Sequence, residues 1–444
     1  MTFLRFPLLL ACLAFPAFAA TSSSSPNLAA DQISSAKTQP SSTAQELYAA
    51  AQNDLLQIRV LLKNGHSQSG VGSGFLIGTS NLVITNFHVV SKMALEPETY
   101  FGEYKDTQGK SGDIELLAVD VLHDLAVVRI NRQGTGFFKL TETPAPLNQG
   151  EHLYSLGNPL DLGFFISEGT YNGLSHRGFS EQVMFTGPVN PGMSGGPNVK
   201  ADGQVAGVNV AHRRDGELVS FLVPATYAQK LFASITPESK APADFKPIIG
   251  EQLLAYQRVM MDTLLATPLT HKNLGPYSVP VRESEQVRCW GSSDTKGEKT
   301  YNTDQISCRM ESAIYVSDDL QTGNISIHHK FTQTDTLNSL RFALLMGKFF
   351  SNRVDSNTKD EDVTTSRCTE KFIGNNNFSS RAVVCVEAYQ KFSGLYNFLL
   401  ITSSTDEPLM NLQSRLVING TSYENGQKFI SQFLNGLSKT KEAK

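Results

Sequence analysis

Cysteine is scarce in this chain: five among 444 residues. No two of them form a close pair, and none has a histidine beside it at metal-ligand spacing, so a zinc site lacks its pattern. Tryptophan occurs once, at Trp290. Charge of one sign is also lacking. The 38 Lys and Arg nearly balance 42 Asp and Glu, net charge is −4, and no basic run stands out. Such a chain offers no electrostatic case for nucleic acid, which needs a strongly basic face. After the first twenty residues no segment has the length and apolarity of a membrane helix. No internal repeat is found. What remains is an apolar content of 40%, compatible with ordinary globular cores, in a chain long enough for two or three domains.

The first segment, 1–20, reads as a secretory signal. Arg5 is a minimal positive region, Leu8 to Phe15 an apolar core, and Ala17-Phe18-Ala19 a small-x-small cleavage signal. Cleavage is expected after Ala19 or Ala20. A membrane anchor is the rival, but the run is too short to span. Lipidation at Cys12 is a second rival, but the apolar stretch continues past that cysteine. The mature chain then keeps Cys289, Cys308, Cys368 and Cys385. An even number in an exported protein suggests disulfides, with zinc as the alternative. Sequence proximity favours Cys289–Cys308 and Cys368–Cys385 among the three connectivities. A bacterial periplasm or secretion is the expected location.

Residues 21–42 are rich in Ser, Thr, Ala, Gln and Pro and hold almost no large apolar residue. They cannot bury enough surface to offset ordering entropy, so a disordered linker is expected. Residues 43–236 read as one domain. A short helix (Ala44 to Leu55) leads into strand-like runs punctuated by glycine, from Gln57 to Val223, and a helix from Ala225 to Phe232 closes the region. Short strands at regular spacing argue for an all-β barrel or sandwich. Residues 237–246, containing Pro237 to Asp244, are polar and Pro-bearing, which suits a linker. Residues 247–444 hold the four mature cysteines and Trp290, and read as a separate α+β domain. Its helices are expected near Gly250 to Leu265, Leu337 to Phe350 and Glu424 to Leu437. Its role is not written in the pattern, nor is an oligomeric state.

Three segments of the first domain carry chemistry. Gly192-Met193-Ser194-Gly195-Gly196-Pro197 is the most specific. A serine in a tight Gly-rich turn exposes its hydroxyl, and the turn aims backbone N–H groups at one spot. Gly192 and Ser194 would supply the N–H pair of an oxyanion hole. Glycine at 192 permits a geometry that a side chain resists. Thr85-Asn86-Phe87-His88 ends a strand and presents an imidazole, and His123-Asp124-Leu125-Ala126 puts a carboxylate at a strand start. Each alone suits an ordinary turn, a structural histidine or a cap. Together they supply a Ser-His-Asp triad: Ser194 the nucleophile, His88 the base, Asp124 its orienting anion. His123 and His152 are competing bases in less suggestive contexts.

The order and surroundings of these residues resemble the chymotrypsin-fold serine proteases, and more closely the bacterial HtrA/Deg type. Gly72-Ser73-Gly74-Phe75-Leu76-Ile77 followed by Val83 to Val90 is similar to that family's strand pair leading into its histidine. Asp124 to Val128 matches its Asp motif. Leu156-Gly157-Asn158-Pro159 and Ser167-Glu168-Gly169-Thr170 resemble its loop before the cleft. Val205 to Asn209 and Phe221 to Pro224 resemble its last barrel strands. The likeness covers roughly residues 55–235. It implies two six-stranded β-barrels with the site between them, a serine endopeptidase acting on protein or peptide substrates, and no cofactor or metal. Three features depart from the family. Met193 stands where trypsins have Asp and HtrA-type enzymes commonly Asn, nothing after residue 240 reads as a PDZ domain, and the mature cysteines lie outside the resembling region.

The resemblance places Pro188, Val189, Val208, Asn209, Val210 and Ala211 around the substrate pocket. No carboxylate is among them, and a basic P1 side chain would leave its charge unpaired. A small or medium apolar P1 residue is expected. Met193 and the extra domain motivate an alternative, a catalytically inactive protease-like barrel that binds peptides without cutting them.

Overall fold

Leu56, Ile58 and Val60 alternate along one face of the first strand, and their complete burial starts the core. The computed structural model describes residues 41–142, 146–159, 162–212, 219–294, 300–350, 361–375 and 378–440. The expected signal segment 1–20 and most of the linker 21–42 lie outside the described residues. Helix α1 (Ser42–Ala51) starts earlier than expected because Ser41 caps it, its hydroxyl accepting from the Ala44 N–H.

Seven strands follow: β1 (Leu55–Leu62), β2 (Gln68–Leu76), β3 (Leu82–Thr85), β4 (Tyr100–Asp106), β5 (Ser111–Asp113), β6 (Glu115–Asp120) and β7 (Leu125–Arg129). They pair in the order β5-β4-β1-β2-β3-β7-β6. Only Ile114 separates the two edge strands, and its N–H donates to the Gly102 carbonyl at 3.1 Å. The segment 111–120 thus pairs with β4 by its first half and with β7 by its second. The sheet curls back on itself as a half-barrel. Helix α2 (Phe87–Leu95) leaves the end of β3 and buries Phe87, Val90 and Ala94.

The next six strands form a closed barrel in the order β10-β13-β12-β11-β8-β9. They are β8 (His152–Gly157), β9 (Phe165–Ser175), β10 (Gln182–Phe185), β11 (Pro197–Val199), β12 (Val205–His212) and β13 (Ser220–Pro224). One apolar cluster joins the two sheets, with Phe75, Ile84 and Leu125 from the first and Leu156, Val199 and Val208 from the second. Another, including Leu153, Phe185, Met193 and Leu222, fills the closed barrel. Helix α3 (Ala225–Ala233) follows. The polar stretch after it is pinned: Pro237 and Ser239 offer their carbonyls to Arg129.

The C-terminal region opens with helix α4 (Lys246–Leu265). Three strands, β14 (Thr270–Leu274), β15 (Tyr277–Val281) and, at the chain's end, β25 (Ser438–Lys439), make a small sheet. A seven-stranded antiparallel sheet orders as β16-β17-β20-β24-β23-β22-β21. Its strands are β16 (Val287–Asp294), β17 (Asn302–Met310), β20 (Asn324–Gln333), β21 (Arg367–Asn375), β22 (Phe378–Ala388), β23 (Tyr396–Ser404) and β24 (Met410–Thr421). Between β17 and β20 stands a hairpin, β18 (Ile314–Ser317) and β19 (Leu320–Thr322). Helices α5 (Ser339–Phe349) and α6 (Tyr423–Gly436) complete the α+β region. Disulfides join Cys289 to Cys308 and Cys368 to Cys385, each pair at facing positions of neighbouring strands.

The α+β region packs directly against the barrels. One buried cluster runs from Leu56, Val90 and Val121 through Leu253 and Met260 to Leu416 and Phe433. Gln252 of α4 completes the edge of β6, accepting the Val121 N–H and donating to the Val119 carbonyl, both at 2.8 Å.

Candidate active site

His88 is the second residue of α2, so its backbone N–H has no intrahelical partner. Asp124 supplies one. Its Oδ1 accepts that N–H at 2.8 Å, and its Oδ2 accepts from His88 Nδ1 at 2.7 Å. Asp124 reaches this position from a tight turn between β6 and β7, with φ at +54°, a conformation seldom adopted by residues other than glycine. The buried Asn86 holds the turn, donating from Nδ2 to the Asp124 carbonyl at 2.7 Å. With Nδ1 donating, the neutral imidazole carries its lone pair on Nε2.

Ser194 sits in a turn fastened from three sides. Ser73 of β2 donates its N–H to the Ser194 carbonyl and its hydroxyl to the Gly192 carbonyl, both at 2.7 Å. Asn209 of β12 accepts the Gly195 N–H at 2.8 Å through its own carbonyl. Its side-chain amide donates to the Leu156 carbonyl at 2.9 Å and accepts from the Ser155 hydroxyl at 2.7 Å. Gly195 has φ +85°, and a Cβ there would lie 2.2 Å from the Ser73 carbonyl oxygen, so only glycine fits. Gly192, at φ +94°, turns the chain just before the serine. Among the described residues, neither the Gly192 nor the Ser194 N–H donates to a protein acceptor. The Ser194 hydroxyl donates to the Val210 carbonyl. Among the described residues it makes no hydrogen bond to His88.

Met193 is 1% exposed and packs in the barrel core with Phe185 and Leu222. Its sulfur accepts the Asn190 N–H at 3.4 Å. Apolar burial therefore anchors the turn at this position. The competing bases are committed elsewhere. His123 Nδ1 bonds Asp120 at 2.6 Å and its ring stacks on Tyr227 at 3.7 Å between centroids. His152 is exposed on β8.

The residues expected around the pocket divide. Pro188 is exposed and Val210 half-buried, whereas Val189, Val208 and Asn209 are buried. Val189 and Val208 belong to apolar clusters, and the Asn209 amide is occupied by the bonds above. The Ala211 side chain lies outside the described residues. A cavity of about 570 Å³ opens beside Val210, lined also by Leu122, Gln182 and Phe221 and, from the C-terminal region, Met310 and Ile314. Neither Ser73 nor the C-terminal lining was singled out as functional from sequence. The Gly72-Ser73-Gly74 motif could have flagged the first, and no local pattern marks the second.

Burial disfavours the charged form of His88, but the charge and hydrogen bond of Asp124, with the charge of Asp318 on the C-terminal hairpin, outweigh it. The His88 pKa is raised above its ordinary value.

A half-barrel beside a closed six-stranded barrel, the two joined by one apolar cluster, is the chymotrypsin fold. Residues 72–208 match the trypsin-like peptidase domain family, and the curated proteins this region is similar to include HtrA-named serine proteases. HhoA and HhoB of Synechocystis sp. are 29% and 31% identical, covering 42% and 39% of this chain and 47% and 42% of their own lengths. The mitochondrial serine protease HTRA2 of Drosophila ananassae is 27% identical over 49% of this chain and 51% of its own. The chain thus spans about half the length of the curated relatives it matches. A crystal structure of the serine endoprotease from Yersinia pestis aligns over 44% of this chain and 67% of its own, at 20% identity and a TM-score of 0.38.

Proposed function

We propose that this chain is an exported serine endopeptidase in which Ser194 is the nucleophile, His88 the general base and acid, and Asp124 the anion that orients His88. The observation carrying this reading is the double engagement of His88 by Asp124, which leaves Nε2 as acceptor. Ser194 Oγ attacks the scissile carbonyl carbon while its proton passes to Nε2. The Gly192 and Ser194 N–H groups receive the developing oxyanion. The intermediate collapses as His88 returns the proton to the leaving amine, and water releases the acyl group by the same steps. Before attack the Ser194 hydroxyl must rotate away from the Val210 carbonyl, which a substrate N–H can then occupy.

Val210, whose carbonyl meets the Ser194 hydroxyl, lines an adjoining cavity together with Phe221, and this apolar lining supports a small or medium apolar P1 side chain. Two cross-strand disulfides support export to an oxidising compartment, a periplasm or the outside. The rotated hydroxyl favours a second reading, an inactive barrel that binds peptides uncut. A fluorophosphonate probe on the full chain separates the two. Labelling that disappears in Ser194→Ala supports the endopeptidase, and well-folded protein that takes no label refutes it.

A further inference from the structure

We propose that the C-terminal hairpin β18–β19 is a working part of this centre, with Tyr315 and Asp318 as positioning residues for His88. The inference rests on the protease reading above. The Tyr315 ring meets the His88 ring edge-on, with centroids 5.8 Å apart and planes at 74°. Its hydroxyl donates to Asp318 Oδ1 at 2.8 Å. The other oxygen of Asp318 pairs with Lys92 Nζ at 3.0 Å. Lys92 lies one turn along α2 from His88 and also donates to the hydroxyl of Ser69 at 3.0 Å. The hairpin therefore grips both the imidazole and the helix that carries it.

Asp124 fixes one edge of the imidazole but leaves rotation of the ring about that bond open. The Tyr315 contact restricts that rotation and keeps Nε2 on the side of the serine turn. Charge adds to geometry. Attack turns His88 into an imidazolium, which two carboxylates favour: Asp124 from the β6–β7 turn and Asp318 from the hairpin. The other groups are accounted for. Lys92 on α2 faces Asp318, Arg59 on β1 is paired with Glu103, and burial raises the Tyr315 pKa, so the phenol stays neutral. No trypsin-like barrel motif contains these two residues. They come from the region whose role the sequence left open.

The test uses the full chain and follows the rate of fluorophosphonate acylation against pH in the wild type, Tyr315→Phe, Tyr315→Ala and Asp318→Asn. Asp318 is 60% exposed, so solvent screens its charge. Asp318→Asn is expected to slow acylation roughly twofold to threefold. It also moves the acidic limb to lower pH, because losing a negative charge makes the imidazolium easier to deprotonate. Tyr315→Ala is expected to slow acylation about tenfold, and Tyr315→Phe to recover most of that, since the ring edge is retained. Tyr315→Ala and Asp318→Asn variants that melt like the wild type, react at its rate and keep its acidic limb overturn the proposal. A folded wild type that takes no probe refutes the protease reading instead. The hairpin's role is then read by NMR titration of His88, where a midpoint unmoved by Asp318→Asn overturns it.

Discussion

Asp124 holds His88 at two points, the backbone N–H through one carboxylate oxygen and ring Nδ1 through the other. The same side chain therefore caps the helix and selects the tautomer. Asp124→Asn separates these roles. Its amide oxygen can still cap the N–H, but its NH₂ then faces Nδ1 and forces the proton to Nε2, where the serine needs an acceptor. Acylation of Ser194 is expected to fall about 10⁴-fold with little loss of stability. Labelling kinetics and a thermal melt on the same preparation check both halves, and a fall below tenfold would remove Asp124 from the mechanism.

The raised pKa of His88 sets the pH dependence of that chemistry. The base must be neutral, so acylation should rise as pH climbs through a midpoint above the ordinary histidine value and then level off. In stability the sign is opposite. A raised native pKa contributes stability in full below the unfolded value and loses it as pH rises through the native one. A rate profile with its midpoint below 6.5 contradicts this assignment.

Met193 marks where sequence and structure part. By the resemblance, the family's polar side chain is missing there. Burial of Met193 among Phe185 and Leu222 seats the turn, and among the described residues the Gly192 and Ser194 N–H groups donate to no protein acceptor. Met193→Ala should cost about 2–4 kcal/mol through the cavity it leaves and slow acylation as the turn loosens. Met193→Leu should cost under about 1.5 kcal/mol. Urea unfolding beside labelling rates tests the pair, and an Ala variant as stable and reactive as the wild type sinks the anchoring role.

The strands and the three motif segments were legible because their signals are local: apolar alternation, glycine at a tight turn, a polar residue at a strand end. Helix ends were legible to within a few residues. The half-barrel differs from the expected six strands only because Ile114 interrupts one edge strand. Less legible was everything that depends on contacts across long sequence separation. Asn209, expected around the pocket, is buried, and its carbonyl accepts the Gly195 N–H of the serine turn. Tyr315 and Asp318 carried no signal at all, since a hairpin's partner is set by how two regions pack.

His329 on β20 supplies an acid-sensitive term outside the site. Its Nε2 donates to the Pro280 carbonyl and its Nδ1 accepts from the Ser414 hydroxyl, both at 2.8 Å. Burial pushes its pKa down to about 4. The unfolded chain binds a proton near pH 6.5 that the native state refuses. Stability is therefore lost as pH falls from about 6.5 toward 4, by about 3 kcal/mol in all. His329→Gln, which keeps a donor for Pro280, should flatten the dependence of unfolding free energy on pH over that range. An unchanged slope in urea titrations at several pH values would show that His329 is not its source.

The shared core makes a claim about cooperativity. Two independent domains joined by residues 237–246 would melt separately, each with its own enthalpy. Here one buried cluster crosses from the half-barrel to the C-terminal sheet, and Gln252 bonds both Val119 and Val121 across that boundary. Calorimetry of the full chain should show a single endotherm. Gln252→Ala leaves the Val121 N–H without its acceptor, a loss of about 1–3 kcal/mol. In a chain of this size that lowers the transition by only about 1–4 °C, but it should move the whole endotherm. Two resolved transitions, with only one shifted by Gln252→Ala, would show that the halves fold independently. The hairpin's hold on His88 would then have to survive without a common core behind it.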